Sequence, residues 1–237
     1  MTEELFREDA YLKTCTARVT AVDETGVRLD RTIFYPMGGG QPGDVGVLRR
    51  ADGSAVAIAD TRKGKEHGDI LHVPAAGQPV LNVGDEVTAE IDWDRRYRHM
   101  RMHTSLHLLC AAVPAGVTGG QIGADRSRLD FDTGELVLDK AEIAEKVNAL
   151  IAANHTVAPR WISDDELAAK PELVRTMSVK PPTGHGKVRL LDIAGVDLQP
   201  CGGTHVRATG EIGPIVVEKI ENKGKRNRRV VIALAAP

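Results

Sequence analysis

The chain has 237 residues, of which 42% are hydrophobic and 27% charged, a composition that suits a folded protein of one large or two modest domains. A formal net charge of −2 excludes a surface that is basic throughout, but a local basic patch is still possible.

No apolar run approaches the ~18 residues of a membrane helix. The opening segment MTEELFREDAYL carries acidic residues where a secretory signal would be basic and then apolar. We therefore expect a cytoplasmic protein without membrane contact, and the sequence implies no obligate protein partner.

Three cysteines, Cys15, Cys110 and Cys201, are an odd number in a compartment that keeps thiols reduced. We expect no disulfide framework, so each thiol is a buried apolar side chain, a metal ligand or a nucleophile.

Strand and turn signals fill residues 14–91. Short aliphatic and β-branched runs break at Gly26, and Asp52-Gly53 predicts a hairpin between residues 47–48 and 55–59. Residues 86–91 alternate between polar and apolar, which is typical of a strand. The pattern indicates a small β-barrel or sandwich over residues 1–92.

From residue 93 onwards the pattern is mixed. Residues 95–113 contain no glycine or proline and predict a helix. Residues 139–154 predict a second helix with Asp139 as its N-cap, and Ser163 with Glu166 predicts the start of a short third helix. Strands are predicted at 187–193, 214–220 and 229–234. Residues 93–237 therefore form a predicted α+β domain.

Two pairs of potential metal ligands lie far apart in the sequence. His103 and His107 are separated by one helical turn, so both imidazoles project from one face of the predicted helix. Cys201 and His205 flank a Gly-Gly pair that favours a tight turn over a helix. Three histidines and one cysteine complete a tetrahedral set of nitrogen and sulfur ligands suited to Zn²⁺.

Each pair also has a plain structural interpretation, because isolated histidines and cysteines are common in protein cores and on surfaces. Cys110, one turn beyond His107, is interpreted as buried filler rather than as a spare ligand. Five further histidines show no paired spacing and are assigned no role: His67, His72, His99, His155 and His185.

The segments MHTSLHLL, TGGQIGADRSRLDF and QPCGGTHVRATGEIGPI resemble the editing domain of alanyl-tRNA synthetase and the free-standing AlaX editing proteins. YPMGGGQPGDVG resembles the glycine-rich motif in the β-barrel of the synthetases and of the medium-length AlaX proteins. The resemblance covers nearly the whole chain, with its motifs in the same order. It implies an N-terminal β-barrel followed by an editing domain of the type shared by threonyl- and alanyl-tRNA synthetases.

By this resemblance, His103, His107, Cys201 and His205 are zinc ligands and carry the catalysis. The implied reaction is hydrolysis of the ester of tRNA(Ala) mischarged with serine or glycine, in trans. We favour a water that the zinc activates as the attacking group, and a zinc that only orients the substrate is the alternative. Four protein ligands are also typical of a closed structural site, and the sequence leaves both readings open. Cys201 as a nucleophile is disfavoured because a zinc-bound thiolate attacks poorly.

Further substrate contacts follow from the same resemblance. Thr118 falls where the family places a side chain that touches the amino acid, and Gln121 is a second candidate; the alternative for residues 118–120 is a plain turn before a strand. The glycine-rich loop is either a flexible connector or a support for the editing pocket, through Gly39, Gly40 and Gln41.

Two basic clusters are candidate contacts for tRNA phosphates, although each is also compatible with a solvated face. The first cluster precedes His103 and comprises Arg95, Arg96, Arg98 and Arg101. The second cluster comprises Lys223, Lys225, Arg226, Arg228 and Arg229, between two predicted strands.

Two rival functions remain open. Threonyl-tRNA synthetase editing domains have a similar ligand layout, so the tRNA could be tRNA(Thr), and a tRNA-binding protein with a structural zinc would carry out no chemistry. A zinc protease is disfavoured, because the helix reads His103-Thr104-Ser105-Leu106-His107 without the glutamate of H-E-x-x-H.

Overall fold

The structure is a computed structural model that describes residues 1–175 and 186–235. The chain divides into two compact units, Met1–Tyr97 and Arg98–Pro237. The division falls inside a long helix, a few residues beyond the change of sequence pattern at residue 93.

The described residues form fifteen strands and three α-helices. The strands are β1 (Glu3–Glu4), β2 (Thr14–Asp23), β3 (Gly26–Leu29), β4 (Arg31–Thr32), β5 (Gly46–Arg49), β6 (Ala55–Lys63), β7 (Ile70–Pro74), β8 (Glu86–Ile91), β9 (Gly116–Gln121), β10 (Arg126–Asp132), β11 (Val157–Ser163), β12 (Lys187–Ile193), β13 (Asp197–Pro200), β14 (Ile215–Asn222) and β15 (Asn227–Leu234). The helices are α1 (Trp93–Ala112), α2 (Lys140–Ala152) and α3 (Asp164–Ala168), with 3₁₀ turns at Leu5–Arg7, Pro171–Leu173 and Thr209–Ile212. Within these ranges no helix is both long enough and apolar enough to cross a bilayer.

Six strands of the first unit close into a barrel in the order β2-β3-β7-β6-β5-β8, and β1 pairs with β4 beside it. Strand β8 alternates between exposed and buried residues because successive side chains point to opposite faces. The inward side chains are aliphatic, among them Leu29, Leu48, Val56 and Val87, each at most 2% exposed. Of the two architectures left open by the strand pattern, the barrel is confirmed.

The predicted hairpin at Asp52-Gly53 joins β5 to β6. Gly53 has a φ of +86°, a left-handed conformation that favours glycine. The Asp52 carboxylate accepts a hydrogen bond from the Ser54 N–H at 2.8 Å. Both residues therefore act in the turn as the sequence indicates.

The second unit contains two antiparallel sheets, ordered β14-β15-β10-β9 and β11-β12-β13. Helix α2 buries the stripe Ile143, Val147 and Ile151, and its N-cap Asp139 accepts a hydrogen bond from the Glu142 N–H. Helix α3 begins with a reciprocal capping box between Ser163 and Glu166. The predicted α+β class and these two helix starts are confirmed.

The alternative of a plain turn at residues 118–120 is wrong, because these residues belong to strand β9. Gly119 pairs with Asp130 and Gly120 with Leu129 on β10. A Cβ atom on Gly120 would lie 2.9 Å from the Leu129 Cδ2 atom, so β9 and β10 pack closely at this position. Glycine is depleted in strands, which is why local propensity indicated a turn.

Candidate metal centre

The structure brings together the four side chains that the sequence predicts to share one ion. Helix α1 presents His103 and His107 one turn apart, with ring centroids separated by 5.4 Å. The segment after β13 brings Cys201 and His205 to the same place, and the four ligand atoms all lie within 4.8 Å of one another. The three histidines are 5–7% exposed, whereas Cys201 is partly exposed.

The spacing of the ligand atoms suits a small divalent metal ion. The Cys201 Sγ atom lies 3.2 Å from the His205 Nε2 atom and 3.6 Å from the His103 Nε2 atom. Metal–ligand bonds of about 2.0–2.3 Å in a tetrahedron place neighbouring ligand atoms roughly 3.3–3.8 Å apart. The thiol and these two imidazoles therefore fit such a site, and the combination of nitrogen and sulfur ligands is one that zinc favours.

A buried carboxylate orients His107. The Asp197 Oδ2 atom accepts hydrogen bonds from the His107 Nδ1–H at 3.0 Å and from the Gln199 amide at 2.7 Å. The Arg175 guanidinium lies 3.7 Å from the other carboxylate oxygen. Because the proton is held on Nδ1, the lone pair of Nε2 is available to a metal, an arrangement common around metal-ligating histidines.

Thr104 orients His205 in a similar way. Its hydroxyl donates to the carbonyl oxygen of Met100 at 2.9 Å and therefore accepts from the His205 Nδ1–H at 3.2 Å. The hydroxyl oxygen also accepts from the Val206 N–H. The Nε2 atom of His205 thus points towards the Cys201 sulfur as a potential ligand.

Arg189 fixes the segment that carries Cys201 and His205. Its guanidinium, on a residue only 8% exposed, donates to the carbonyl oxygens of Cys201 at 2.8 Å and of Gly203 at 3.1 Å. The Cys201 N–H donates in turn to the Arg189 carbonyl oxygen. The Gly-Gly segment lacks regular secondary structure, as the sequence indicates, and this arginine determines its course.

The charges of the cluster favour the ligand forms of two of its members. Burial raises the pKa of the Cys201 thiol, but His103 and His205 outweigh it and hold this pKa well below its usual value. Burial lowers the pKa of His205 well below its usual value, which favours neutral imidazole. Burial opposes charge on His107, but hydrogen bonds to Asp197 and Cys201 raise its pKa to about 9. A metal must therefore displace a proton from His107.

The sequence did not identify the residues that orient the ligands, namely Thr104, Arg189, Asp197 and Gln199. Thr104 stands between the two histidines, and Asp197 lies four residues before Cys201. An acidic or hydroxyl residue close to a ligand pair is a weak signal for such a partner, because only the fold decides which ligand it reaches.

The interpretation of Cys110 as filler agrees with its surroundings. It is 8% exposed, and burial raises its pKa to about 12, so the thiol is neutral. His72 is buried in the barrel unit, where both ring nitrogens are hydrogen bonded, to the Thr32 hydroxyl and to the Val27 carbonyl oxygen. His185 lies outside the described residues.

The glycine-rich loop closes into a tight turn. Gly38 and Gln41 exchange two backbone hydrogen bonds of 3.1 and 2.9 Å across Gly39 and Gly40, whose φ angles are +57° and +83°. Gly39 and Gly40 are exposed. Gln41 is 0% exposed, so its expected contact with substrate is wrong for this conformation.

The first basic cluster is mainly structural. Arg96 is 0% exposed and forms a buried ion pair with Asp44, and it also donates to the carbonyl oxygens of Ala10 and Ile33. Its assignment to tRNA phosphates is therefore wrong, because the guanidinium is already fully engaged. Two neighbours donate to carbonyl oxygens, Arg95 to that of Gly43 at 2.7 Å and Arg101 to that of Ile212 at 2.7 Å. Arg98 is the exposed member, with 58% of its side chain accessible beside Asp125.

The second basic cluster includes the turn between β14 and β15. Residues 223–226 are exposed, as a phosphate contact requires. Arg226 pairs with Asp132 while 73% of its side chain stays accessible, and Lys223 pairs with Glu221. Two members lie on β15 itself: Arg228 donates to backbone carbonyl oxygens, and Arg229 pairs with Asp130.

Thr118 lies beside this turn. Its hydroxyl is within hydrogen-bond distance of the Asp130 carbonyl oxygen, at 3.2 Å, and of the Asn227 Oδ1 atom, at 3.0 Å. Thr118 and residues 223–227 line a shallow surface cavity together with Asp132. Gln121 is exposed at the end of β9, where it accepts a hydrogen bond from Arg128.

Comparisons with known proteins match both units. Residues 7–95 match the family of class II (A) tRNA synthetases, and residues 188–231 match the threonyl and alanyl tRNA synthetase second additional domain. The chain is 42% identical to the alanyl-tRNA editing protein AlaX-M of Methanosarcina acetivorans over 99% of each chain. It is 37% identical to AlaX-M of Saccharolobus solfataricus over 97% of this chain and 98% of that one. An alanine–tRNA ligase of Pyrobaculum aerophilum is 37% identical over 93% of this chain but 25% of its own length.

The closed barrel, the α+β unit and the cluster of histidines and cysteine therefore define an enzyme of the aminoacyl-tRNA editing class. The similarity to the AlaX-M proteins extends over the full length of both chains, whereas the ligase is matched by a quarter of its length. The chain belongs to the AlaX-M family of alanyl-tRNA editing proteins.

Proposed function

We propose that the chain hydrolyses, in trans and with Zn²⁺ as cofactor, the ester that joins serine or glycine to mischarged tRNA(Ala). The observation that carries the proposal is the convergence of His103, His107, Cys201 and His205 within 4.8 Å of one another. The names of the AlaX-M relatives support alanyl-tRNA as the substrate class. We further propose that the enzyme acts in the cytoplasm.

The reaction adds water to the ester carbonyl carbon and breaks the bond between that carbon and the ribose oxygen. The ribose oxygen takes up a proton, and the amino acid leaves with a free carboxyl group. Zinc, when bound, supplies Lewis acidity and an acidified water at neutral pH. Asp197 and Thr104 hold the Nδ1 protons of His107 and His205, so that both Nε2 atoms keep one direction.

A separate site that hydrolyses wrongly charged tRNA has a physical rationale. A pocket for alanine rejects glycine by only about 1–3 kcal/mol, since one methyl group separates them, and serine differs by one hydroxyl. A site that hydrogen-bonds the serine hydroxyl would disfavour alanine by up to about 10⁴–10⁵-fold. We propose Thr118 as the side chain that reads the amino acid, with Gln121 as a weaker candidate and Gly39 and Gly40 as support.

We propose that the turn at residues 223–226 and Arg98 contact tRNA phosphates. Their exposure supports this assignment. Lys225→Gln combined with Arg226→Gln should weaken the binding of tRNA(Ala). The slope of log Kd against log salt concentration should fall by the amount that corresponds to about two phosphate contacts. Lys146→Gln, which removes an exposed lysine paired with Glu142, is the matched control. An unchanged salt slope in the double variant would contradict the assignment.

The alternative function is tRNA binding without chemistry, because four protein ligands are typical of a structural zinc. Hydrolysis of Ser-, Gly- and Ala-tRNA(Ala), with and without a chelator, separates the two functions. The proposal predicts chelator-sensitive loss of the serine and glycine esters, with the alanine ester spared. A binder would protect all three esters. Faster hydrolysis of Ser-tRNA(Thr) would instead indicate tRNA(Thr).

A further inference from the structure

Trp161 is an exposed aromatic residue in a chain whose aromatic content is only 3%. It lies on β11, at the edge of the sheet β11-β12-β13, and is 43% exposed. The Lys187 ammonium lies 4.8 Å from the centroid of its ring. An exposed aromatic ring beside a cation is a combination that binds unpaired nucleotides, because the ring stacks on a base and the cation attracts a phosphate.

The register of the sheet relates Trp161 to the metal centre. Trp161 is the partner of Arg189 on β12, and the Cys201 N–H donates to the Arg189 carbonyl oxygen. Residues that oppose each other directly in antiparallel strands project from the same face, so Trp161, Arg189 and Cys201 form one row. Two strand spacings of 4.7–4.9 Å place Trp161 about 10 Å from Cys201 along this row.

Two acidic side chains at the start of α3 accept hydrogen bonds from nearby backbone N–H groups. The Glu166 carboxylate accepts from the Ser163 N–H, and the Asp164 Oδ2 atom accepts from the Gly186 N–H. The Lys187 ammonium is the cation in contact with the indole ring.

We propose that Trp161 and Lys187 form a stacking platform for an unpaired nucleobase at the 3′ end of the tRNA, next to the nucleoside that carries the ester. This inference rests on the proposed function, because it requires the ester to lie at the metal centre. The base stacks on the exposed indole, and Lys187 contacts the adjoining phosphate.

The test compares Trp161→Ala, Trp161→Phe and the wild-type protein on Ser-tRNA(Ala). We expect the alanine variant to raise KM about tenfold with little change in kcat, and phenylalanine to restore most of the loss, since it retains a ring that can stack. Val216→Ala is the matched control, because Val216 is exposed to a similar extent, 44%, on another sheet of the same unit. Bound zinc and thermal midpoint are measured for each variant.

A second measurement covers the case in which Trp161→Ala does not fold. In a Trp93→Phe background, the fluorescence of Trp161 should be quenched by uncharged tRNA(Ala) and not by the same tRNA without its unpaired 3′-terminal nucleotides. Equal quenching by both RNAs, no quenching by either, or an unchanged KM in a folded Trp161→Ala would overturn the platform. Failure of the proposed function is distinguishable, because the wild-type protein would then leave the serine ester intact.

Discussion

Two regions of this protein bury histidines, and they treat the imidazoles differently. In the barrel unit, both ring nitrogens of His72 are occupied by fixed partners, Thr32 and Val27. In the second unit, Asp197 and Thr104 each occupy only the Nδ1 atom of a histidine. The remaining Nε2 atom of His205 lies 3.2 Å from the Cys201 sulfur, and the ligand atoms of all four residues lie within 4.8 Å of one another. A buried histidine is thus structural when both nitrogens are satisfied, and it is a candidate ligand when one nitrogen is oriented and the other converges on further donors.

The largest expected effect comes from removing a ligand. Cys201→Ala or His103→Ala should abolish bound zinc and lower deacylation of Ser-tRNA(Ala) by about 10³-fold or more, because the Lewis acid is lost. Metal analysis and single-turnover kinetics measure both quantities. Cys15→Ala, at a half-buried thiol of the barrel unit, is the matched control and should retain both. Full activity in a metal-free Cys201→Ala would refute the assignment.

His72, in the barrel unit, should affect the pH dependence of the free energy of unfolding and not zinc binding. Burial lowers the pKa of His72 to about 4, whereas an unfolded histidine titrates near 6.5. As the pH falls from 6.5 towards 4, the unfolded chain binds a proton that the folded barrel does not, so the free energy of unfolding decreases by about 3 kcal/mol. Denaturant titrations of wild type and His72→Gln across this range measure the difference. If both lose stability equally, His72 is not the cause.

Replacing the carboxylate that orients His107 should have an intermediate effect. Asp197→Asn should weaken zinc binding about 10–100-fold, because Nδ1 loses its charged acceptor while the ligand set is intact. Competition with a chromophoric chelator measures the affinity. Asp192→Asn, at a half-buried acid on the adjacent strand, should leave zinc affinity unchanged. If Asp197→Asn binds zinc as tightly as the wild type, the Nδ1 partner does not prepare His107 for a metal. The two kinds of buried histidine would then not differ in the way described above.

The smallest effect is expected at Thr118. Thr118→Val should lower hydrolysis of Ser-tRNA(Ala) about fivefold, the value of one hydrogen bond, and that of Gly-tRNA(Ala) less. Kinetics on both esters measure the ratio. Because the hydroxyl also contacts Asn227, equal losses on both esters would indicate a structural role at the basic turn.

The sequence predicts what local spacing determines. The one-turn separation of His103 and His107, the N-cap Asp139 and the Asp52-Gly53 hairpin each depend on a few neighbouring residues, and the structure contains all three. The resemblance to the editing family additionally implied the barrel. These elements follow from periodicity and turn chemistry.

The features that the sequence does not predict depend on pairing between separate segments of the chain. Arg96 stands within a run of arginines, yet its partner Asp44 lies 52 residues away and removes it from solvent. Gly119 and Gly120 have turn chemistry, but β10 holds them in a strand. Asp197 reaches His107 across 90 residues. In each case the deciding partner lies outside the few neighbouring residues on which local propensity depends, so propensity does not reveal it.

X-ray absorption at the zinc edge of the purified protein tests whether the four side chains bind one zinc ion. We expect one zinc per chain, with about three nitrogen neighbours at roughly 2.0–2.1 Å and one sulfur neighbour at roughly 2.3 Å. A protein without zinc, or a zinc ion whose nearest shell contains no sulfur, would contradict the convergence of Cys201 with the three imidazoles on one metal.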